Sequence, residues 1–358
     1  MRIAIKIGSN VLTRKDGSLD VTRVSAIVDQ VCSLRDAGMQ IVLISSGAVA
    51  CGRGECHNLD TSRLDNVSQR QFFSAIGQVK LINRYYDLFH DHGVLVGQVL
   101  TMKESFSTRR HYLNQRNCMM VMIEAGVIPI VNENDTISVT ELMFTDNDEL
   151  SGLIATMLDC EALVILSNID GIYDGDPRNP DSRLIPVVAQ EDEISSVIVT
   201  EKSGFGRGGM VTKHRIARKV SDEGIEVIIA NGRRENILTD LLLDKNPLTP
   251  CTRFLPSQTP ASSMKRWIAH SEGFVKGVVH VNDKASESLT SSKATSLLPV
   301  GIIEIDGDFE KDDLVRVVDP NDITIGIGRV SCSSEEARQQ IGVHGCKPLI
   351  HYDYLYIE

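Results

Sequence analysis

Residues 206–213 combine three glycines within four positions with a lysine, Lys213, about one helical turn into the periodic segment that follows. A helix that begins directly after a glycine turn presents unpaired N–H groups and a partial positive charge, and both suit a phosphate. The lysine can fold back toward the same anion. Because the order G-x-x-x-x-G-K-[ST] is absent, the segment is not a P-loop. By itself it is compatible with a phosphate-binding loop or with a plain turn.

A second candidate group follows the first apolar run, where Lys6 precedes the turn at Gly8 and Ser9. Lys6 stands among Ile and Ala residues, and an unpaired ammonium in apolar surroundings is costly. It therefore needs an anion, and the turn beside it offers N–H donors. The alternative is a lysine whose side chain extends into solvent at the end of the strand.

Small polar residues follow two further apolar runs. Ser45-Ser46-Gly47-Ala48 stands where a predicted strand passes into a helix, so its hydroxyls either cap that helix or bind a substrate carboxylate or phosphate. Ser167 and Asn168, with the turn at residues 169–173, can border a nucleotide base or ribose, and a plain turn explains them equally well.

The densest polar cluster has two parts, Asn132-Glu133-Asn134-Asp135 and Asp146-Asn147-Asp148-Glu149. Turn formation and N-capping explain most of these residues. Two such groups about ten residues apart exceed what one hairpin requires, however, which favours a function. Asn and Asp side chains can hold an α-amino group, and a carboxylate can fix the positions of two lysines.

Taken together, these loops supply two lysines, N–H-rich turns and an Asn/Asp cluster. They supply no Ser-His-Asp order, and the nine histidines show no metal-ligand spacing, so no protein-held metal is predicted. A set without a nucleophile or an acid–base pair favours phosphoryl transfer by positioning and charge stabilisation.

Alternating apolar runs and helical patterns must position these loops. The continuous Val, Ile and Leu runs predict strands buried on both faces of a mainly parallel sheet, and the periodic segments predict helices on either side of it, a three-layer α/β sandwich. Ligands of such a sheet gather at the carboxyl ends of its strands. The predicted strands are residues 3–7, 41–44, 94–100, 127–131, 163–166 and 225–229, and the predicted helices are 21–37, 65–90, 109–125, 148–158 and 210–222.

The pattern changes after residue 243, so the sequence predicts a first domain over 1–243, a Pro-rich linker or arm over 244–272, and a second domain over 273–358. Short alternating runs split by Asp/Gly/Asn turns predict that the second domain is small and mostly β. These runs are residues 274–281, 301–305, 314–318, 323–330 and 349–357.

Composition restricts the class of protein. At 358 residues, with 42% hydrophobic and 24% charged residues, the chain is typical of a two-domain globular protein. No apolar run approaches the roughly 20 residues that cross a bilayer. Eight scattered cysteines without a C-x-x-C pair indicate reduced thiols and a cytoplasmic location. The net charge of −11 argues against non-specific nucleic-acid binding.

These motifs resemble those of the amino acid kinase family, and the resemblance covers essentially the whole chain. Residues from about 274 onward are similar to a PUA domain. The matching segments are Lys6-x-Gly8-Ser9, Ser45-Ser46-Gly47-Ala48, Gly97-Gln98-Val99-Leu100, Asn132-Glu133-Asn134-Asp135, Asp146-Asn147-Asp148, Gly208-Gly209-Met210-x-Thr212-Lys213 and Lys265-Arg266-Trp267-Ile268.

The resemblance implies ATP-dependent phosphorylation of the γ-carboxylate of L-glutamate, the committed step of proline synthesis. Mg²⁺ would arrive with ATP and keep much of its water shell. Proline would inhibit by feedback, and the chain would form a homo-oligomer, a dimer or a tetramer. No membrane partner is implied.

The resemblance also assigns roles to individual residues. Lys6 and Lys213 would stabilise the moving phosphoryl group from opposite sides, and Asp148 would hold both lysines. The glutamate site would comprise Ser46, Asp135 and Asn147, with Asn134 and Asp146 nearby. The ATP site would comprise Lys6, Gly8, Ser9, Ser167, Asn168, Arg207, Gly208, Gly209, Met210, Val211, Thr212 and Lys213.

Two departures from the family pattern fall at the nucleotide edge. Asn168 stands where relatives often have Asp, and Arg207 stands where a small or hydroxyl residue is common. They affect the expected base and ribose contacts more than the reaction, because Lys213 is retained.

Two alternatives stay open. One is another kinase of the same family, acting on N-acetylglutamate, aspartate, carbamate or UMP, and the C-terminal β domain disfavours most of these. The other is an RNA-binding regulatory protein that uses its PUA-like segment. Residues 272–358 contain fifteen Asp/Glu and eight Lys/Arg, a net charge of −7 that repels phosphates.

Overall fold

The computed structural model describes residues 1–14, 16–106, 109–137, 146–190, 192, 209–258, 268, 275–291 and 295–357. The chain divides into two compact units, residues 1–105 with 112–260 and residues 106–111 with 261–358.

The described strands are β1 (Arg2–Ile7), β2 (Gln40–Ser45), β3 (Val96–Thr101), β4 (Ile128–Glu133), β5 (Ala162–Ser167), β6 (Val187–Val188), β7 (Glu226–Asn231), β8 (Cys251–Phe254), β9 (Gly277–Val281), β10 (Ile302–Asp306), β11 (Leu314–Val318), β12 (Thr324–Arg329) and β13 (Leu355–Ile357). The described α-helices are α1 (Ser9–Leu12), α2 (Val21–Asp36), α3 (Ala48–Glu55), α4 (Asn66–Asp91), α5 (Arg109–Glu124), α6 (Asn147–Met157), α7 (Met210–Asp222), α8 (Ile237–Leu242), α9 (Asp283–Thr290) and α10 (Ser334–Gln340).

The first unit is built on a mainly parallel sheet. Its described part has eight strands in the order β3-β4-β2-β1-β5-β7-β8-β6. All neighbours are parallel except β7 and β8, so the antiparallel pair lies toward one edge, as is common in large α/β sheets. The six predicted strands of this unit and its five predicted helices are found, with ends shifted by at most two residues.

Both faces of this sheet are covered. On β1, Ile3, Ile5 and Ile7 lie in one apolar cluster with residues of α2, α4 and α8. Because side chains alternate along a strand, Ala4 and Lys6 face the opposite side, where α6 packs. The sheet with helices on both faces forms the three layers that the apolar runs predict.

The second unit has its own sheet and core. Within its described residues, five strands are arranged in the order β10-β9-β11-β12-β13, and only the β9–β11 pair is parallel. Each of the five alternating runs predicted in the sequence overlaps one of these strands. The small, mostly β domain is therefore confirmed.

The start of the predicted linker differs from the structure. Residues 251–254 form β8, which pairs with β7 and belongs to the main sheet. Thr252 is fully buried, and its hydroxyl accepts a hydrogen bond from Ile172 N at 2.8 Å. The prolines at 247, 250 and 256 flank this short strand rather than interrupting it, which is why their density did not exclude a strand.

Helices α3 and α4 cross at backbone contact. A Cβ atom added to Gly77 would lie 1.8 Å from Ala48 O, and one added to Gly52 would lie 1.8 Å from Phe73 O. The crossing therefore requires glycine on both helices. It fixes α4 against the segment that directly follows Ser46.

We expect Gly77→Ala to destabilise the first unit, because the added methyl group overlaps backbone atoms that cannot move aside. Overpacking of this kind typically costs about 1–3 kcal/mol. Urea unfolding would measure the change. The matched control is Gly54→Ala on α3, where the nearest contact of an added Cβ is an ordinary 3.7 Å, and this variant should be neutral or slightly stabilised. Equal stability of the two variants would contradict the crossing.

Candidate active site

The carboxyl ends of six parallel strands, β1 to β5 and β7, bring the sequence-predicted loops together. Strand register aligns Ile7 of β1 with Ser45 of β2 and with Leu166 of β5. Farther from β1, Leu100 of β3 aligns with Asn132 of β4, and Ser167 of β5 aligns with Asn231 of β7. The polar residues that follow these positions consequently lie along one edge of the sheet, as expected for a ligand site in this architecture.

Lys6, Asp148 and Lys213 form a buried cluster at this edge. Lys6 Nζ lies 2.6 Å from Asp148 Oδ1, and Lys213 Nζ donates a hydrogen bond of 2.7 Å to Asp148 Oδ2. The three residues are 6%, 0% and 9% exposed. Each oxygen of one carboxylate thus meets one ammonium, and Asp148 separates the two lysines. The alternative of a solvent-directed Lys6 is wrong.

The charges in this cluster stabilise one another. Burial raises the pKa of Asp148, but the charges of Lys6 and Lys213 outweigh burial and hold the pKa below its ordinary value. Burial also lowers the pKa of Lys213, and the Asp148 charge reverses that effect, so the pKa is raised. The cluster thus combines two ammonium groups with one carboxylate in a site that is almost closed to solvent.

Close packing of α6 against α7 allows Asp148 and Lys213 to approach each other. Asp148 is in the first turn of α6 and Lys213 is in the first turns of α7, and the two helices touch at Gly152, where an added Cβ would lie 2.9 Å from Val220 Cγ2. At Gly8, an added Cβ would lie 3.5 Å from Lys6 Nζ. A larger residue at position 8 would therefore cover the ammonium.

Ser46 and Asn147 are joined by a chain of side-chain hydrogen bonds. Asn147 Nδ2 donates to Ser46 Oγ at 2.8 Å and to Asn132 Oδ1 at 3.0 Å, and Asn132 Nδ2 donates to Gln78 Oε1 at 2.9 Å. Gly47, with φ 104°, is the N-cap of α3, and no side chain caps this helix. Ser46 is therefore not a helix cap, and its hydroxyl belongs to the polar chain.

Asp135 is held by Arg70, which comes from α4. Arg70 Nε donates to Asp135 Oδ1 at 2.8 Å, Arg70 Nη2 also bonds to that oxygen, and Nη2 lies 3.1 Å from Glu133 Oε2. Asn134 has a local role instead, because its side-chain oxygen accepts a hydrogen bond of 2.5 Å from Thr136 Oγ1.

Asp146 both caps a helix and faces the cluster. Its Oδ1 accepts hydrogen bonds from the backbone N–H groups of Asp148 and Glu149, so the capping interpretation is correct for this oxygen. Its Oδ2 is buried and has no hydrogen-bond partner among the described residues. Burial and the Asp148 charge raise the pKa of Asp146 to about 6, while Lys6 opposes the shift.

The residues predicted to bind the nucleotide are spread more widely along this edge than the residues described above. Ser167 is buried at the end of β5 and Asn168 is exposed beside it. Gly209 caps α7 in an extended conformation that any residue can adopt (φ −93°), so it does not need to be glycine for its backbone angle. Met210, Val211 and Thr212 lie in the first turn of α7, and Gly8 and Ser9 directly follow β1. Arg207 and Gly208 lie outside the described residues, as does the motif at 265–267.

Three side chains of this edge were missed in the sequence. Arg70 and Gln78 are both on α4 and lie eight positions apart, a spacing that places them on one face of a helix. The sequence signal for Arg70 and Gln78 was that both are polar on a face of α4 that otherwise packs against the core. The third is Arg234, which forms a two-point ion pair with Asp170 (2.8 and 2.7 Å) where β5 and β7 end.

Comparison with known proteins gives a consistent result. Residues 1–231 match the model of the amino acid kinase family, and residues 277–349 match the PUA domain. The glutamate 5-kinase of Bacteroides thetaiotaomicron is 63% identical over 100% of this chain and 98% of its own length. The glutamate 5-kinase of Chlorobaculum tepidum is 44% identical over 99% of this chain and 97% of its own length. A solved structure of isopentenyl phosphate kinase covers 71% of this chain and 100% of its own, with a TM-score of 0.50 and 18% identity, which is a likeness of fold alone.

We expect Asp146→Asn to stabilise the protein above pH 6 and to lose this advantage in acid. The pKa of folded Asp146 is raised to about 6 from 3.8, so its protonated form adds stability that is lost as the pH rises through 6. Asparagine keeps the cap and removes the charge beside Asp148. Thermal midpoints measured between about pH 4.5 and about pH 8 would show the difference.

The matched control for that measurement is Asp65→Asn at the N-cap of α4. Hydrogen bonds from Ser68 lower the pKa of Asp65, so its substitution should not stabilise the protein at any pH. A gain at Asp146 that is equal at both ends of the pH range would contradict the assigned cause.

Proposed function

The chain belongs to the amino acid kinase family, and from this premise we propose that it transfers the γ-phosphoryl group of ATP to the γ-carboxylate of L-glutamate. The product is γ-glutamyl phosphate, and the reaction is the first step of proline biosynthesis. The relatives that support this activity match the chain over nearly its whole length.

The observation that carries the proposal is the Lys6–Asp148–Lys213 cluster. Phosphoryl transfer spreads negative charge over the oxygens of the moving group, and fixed cations at a dry site stabilise that charge. Lys6 and Lys213 act from the two sides of the group, and Asp148 holds their ammonium groups apart. No general base is required, because the acceptor carboxylate is already ionised at neutral pH.

The amino acid substrate lies next to this cluster. Ser46 and Asn147 contact the γ-carboxylate end through their hydrogen-bonded chain, which joins them in one geometry. Asp135 receives the α-ammonium group. Asn134 and Asp146 border the same site, and the buried Oδ2 of Asp146 supplies an acceptor that no described residue uses.

ATP occupies the opposite half of the edge. Gly8, Ser9 and residues 207–213 surround its phosphates, and Ser167 and Asn168 border its ribose and base. The start of α7 supports this assignment, because Gly209 leaves no capping side chain over the N–H groups of the first turn. Mg²⁺ enters as part of the ATP complex and neutralises charge on the phosphate oxygens.

Regulation and assembly form a finer part of the proposal. Proline carries an α-carboxylate and a charged α-nitrogen, as glutamate does, although its nitrogen is a secondary amine. It therefore inhibits by competing for the amino acid end of the site or by closing it. The chain forms a dimer or a tetramer in the cytoplasm. None of the described helices is long and apolar enough to cross a membrane, and the eight cysteines are free thiols.

An acceptor series tests the activity and its rivals. ADP release would be measured with glutamate, N-acetylglutamate, aspartate, carbamate and UMP, and hydroxylamine would trap the acyl phosphate formed from glutamate. We expect glutamate to be the preferred acceptor by a wide margin. ADP release that depends on one of the other acceptors instead would replace this function. Salt-sensitive binding of structured RNA would favour the regulatory alternative.

We expect Lys213→Ala to lower turnover by at least two orders of magnitude while the fold is retained. A lost transition-state donor typically costs ~3–4 kcal/mol. Asp148 keeps Lys6 as its partner, so no buried carboxylate is left alone. The matched control is Arg215→Ala, which removes an exposed cation from the same helix. Near-normal turnover of the Lys213 variant would remove this lysine from the mechanism.

A further inference from the structure

Helix α4 lines the amino acid end of the site with three polar side chains. Arg70, Gln78 and Tyr85 are spaced by eight and seven residues, so they share one face of the helix. Each contacts a residue at or just beyond the end of a neighbouring strand. Arg70 contacts Asp135 and Glu133, Gln78 accepts a hydrogen bond from Asn132, and Tyr85 OH lies 2.9 Å from Ser45 Oγ.

The Arg70 contact has a specific geometry. Both Nε and Nη2 bond to Oδ1 of Asp135, and Nη2 also reaches Glu133. Oδ2 of Asp135 receives no bond from the guanidinium. The side chains of Arg70 and Asp135 are 22% and 9% exposed, so the pair is largely shielded from water. The planar guanidinium donates two hydrogen bonds to one carboxylate oxygen. It thereby fixes the plane of the carboxylate and the direction in which the other oxygen points.

Arg70 also sets the charge of Asp135. Burial raises the pKa of this carboxyl, and the charge and hydrogen bonds of Arg70 oppose the rise. Arg70 of α4 also bonds to Glu133 at the end of β4, so two carboxylates share one guanidinium. Without the guanidinium, a buried carboxyl next to a second carboxylate would hold a proton more readily, and a protonated carboxyl is a poor partner for an ammonium group.

We infer that Arg70 is a positioning residue that makes the site selective for an α-amino dicarboxylate, because it holds Asp135 with one oxygen free to receive the α-ammonium group. The inference rests on the proposed glutamate phosphorylation and deepens it. Selectivity between glutamate and the same dicarboxylate without an amino group is then set by a helix residue that acts through Asp135.

Glutarate separates this role from a general structural one. It has both carboxylates of glutamate and lacks the α-ammonium group, so it tests only the subsite that Arg70 serves. The KM for glutamate and the inhibition constant of glutarate as its competitor would be measured on the full chain by ADP release. The variants are Arg70→Met, which removes the charge, and Arg70→Lys, which keeps the charge and loses the fork. The matched control is Lys80→Met, which removes a cation of α4 that pairs with Glu55 and lies outside the site.

In Arg70→Met we expect the KM for glutamate to rise at least tenfold, while the inhibition constant of glutarate and the KM for ATP stay within about threefold. Arg70→Lys should fall between this variant and the wild type. The acidic limb of kcat/KM for glutamate should move to higher pH in Arg70→Met, because Asp135 keeps its proton longer. Lys80→Met should match the wild type in every measurement.

A parallel rise of the glutamate and glutarate constants would overturn the inference, since it would show that Arg70 only supports the structure. An unchanged KM for glutamate would overturn it as well. Should Arg70→Met fail to fold by circular dichroism, Arg70→Lys decides, and it must show the same split between the two ligands. A wild-type protein that releases no ADP with glutamate would instead reject the proposed function.

Discussion

Asp148 pairs with two buried lysines, and the rest of the first unit is arranged around this interaction. A buried ammonium without a partner is costly, and Lys6 and Lys213 share a single carboxylate that is fully buried. The three side chains come from a central strand and from the first turns of two helices. They meet only if β1 lies between β2 and β5 and if α6 and α7 touch, as they do at Gly152. The sheet order and the helix contact are therefore conditions for a stable charge cluster.

This cluster also gives the site a direction. One end carries a net positive charge from the two lysines, and the other end carries the buried carboxylates of Asp135 and Glu133, which share one guanidinium. The two ends of this polar edge therefore differ in the charges that they carry. Asn147 lies between these ends and bonds to both Ser46 and Asn132, so the two ends are linked by hydrogen bonds rather than by solvent.

The sequence predicted the parts of this site that follow strands. Lys6 was identifiable because a lysine in an apolar run requires an anion. The cluster around Asp148 exceeded the needs of a turn, and the family resemblance assigned Asp148 its role within that cluster. Arg70 and Gln78 were not identified, since polar residues on a long helix ordinarily face water and only the packed fold shows which face is turned inward. Strand β8 was missed for a related reason: its four residues are too short to show periodicity, and its pairing with β7 decides its structure. Arg207 and Gly208 lie outside the described residues, so their roles stay predictions.

Helix α4 connects the packing of the fold to the chemistry of the site. Its contact with α3 is made through backbone at Gly52 and Gly77, so the helix has little freedom to slide or rotate. Arg70 lies two turns before this contact and Gln78 directly follows Gly77, so both side chains take their positions from it. Ser46 lies just before α3, on the other side of the same crossing. A displacement of α4 would thus move Arg70 and Gln78 together relative to Ser46. The spacing between these polar groups is therefore fixed by helix packing.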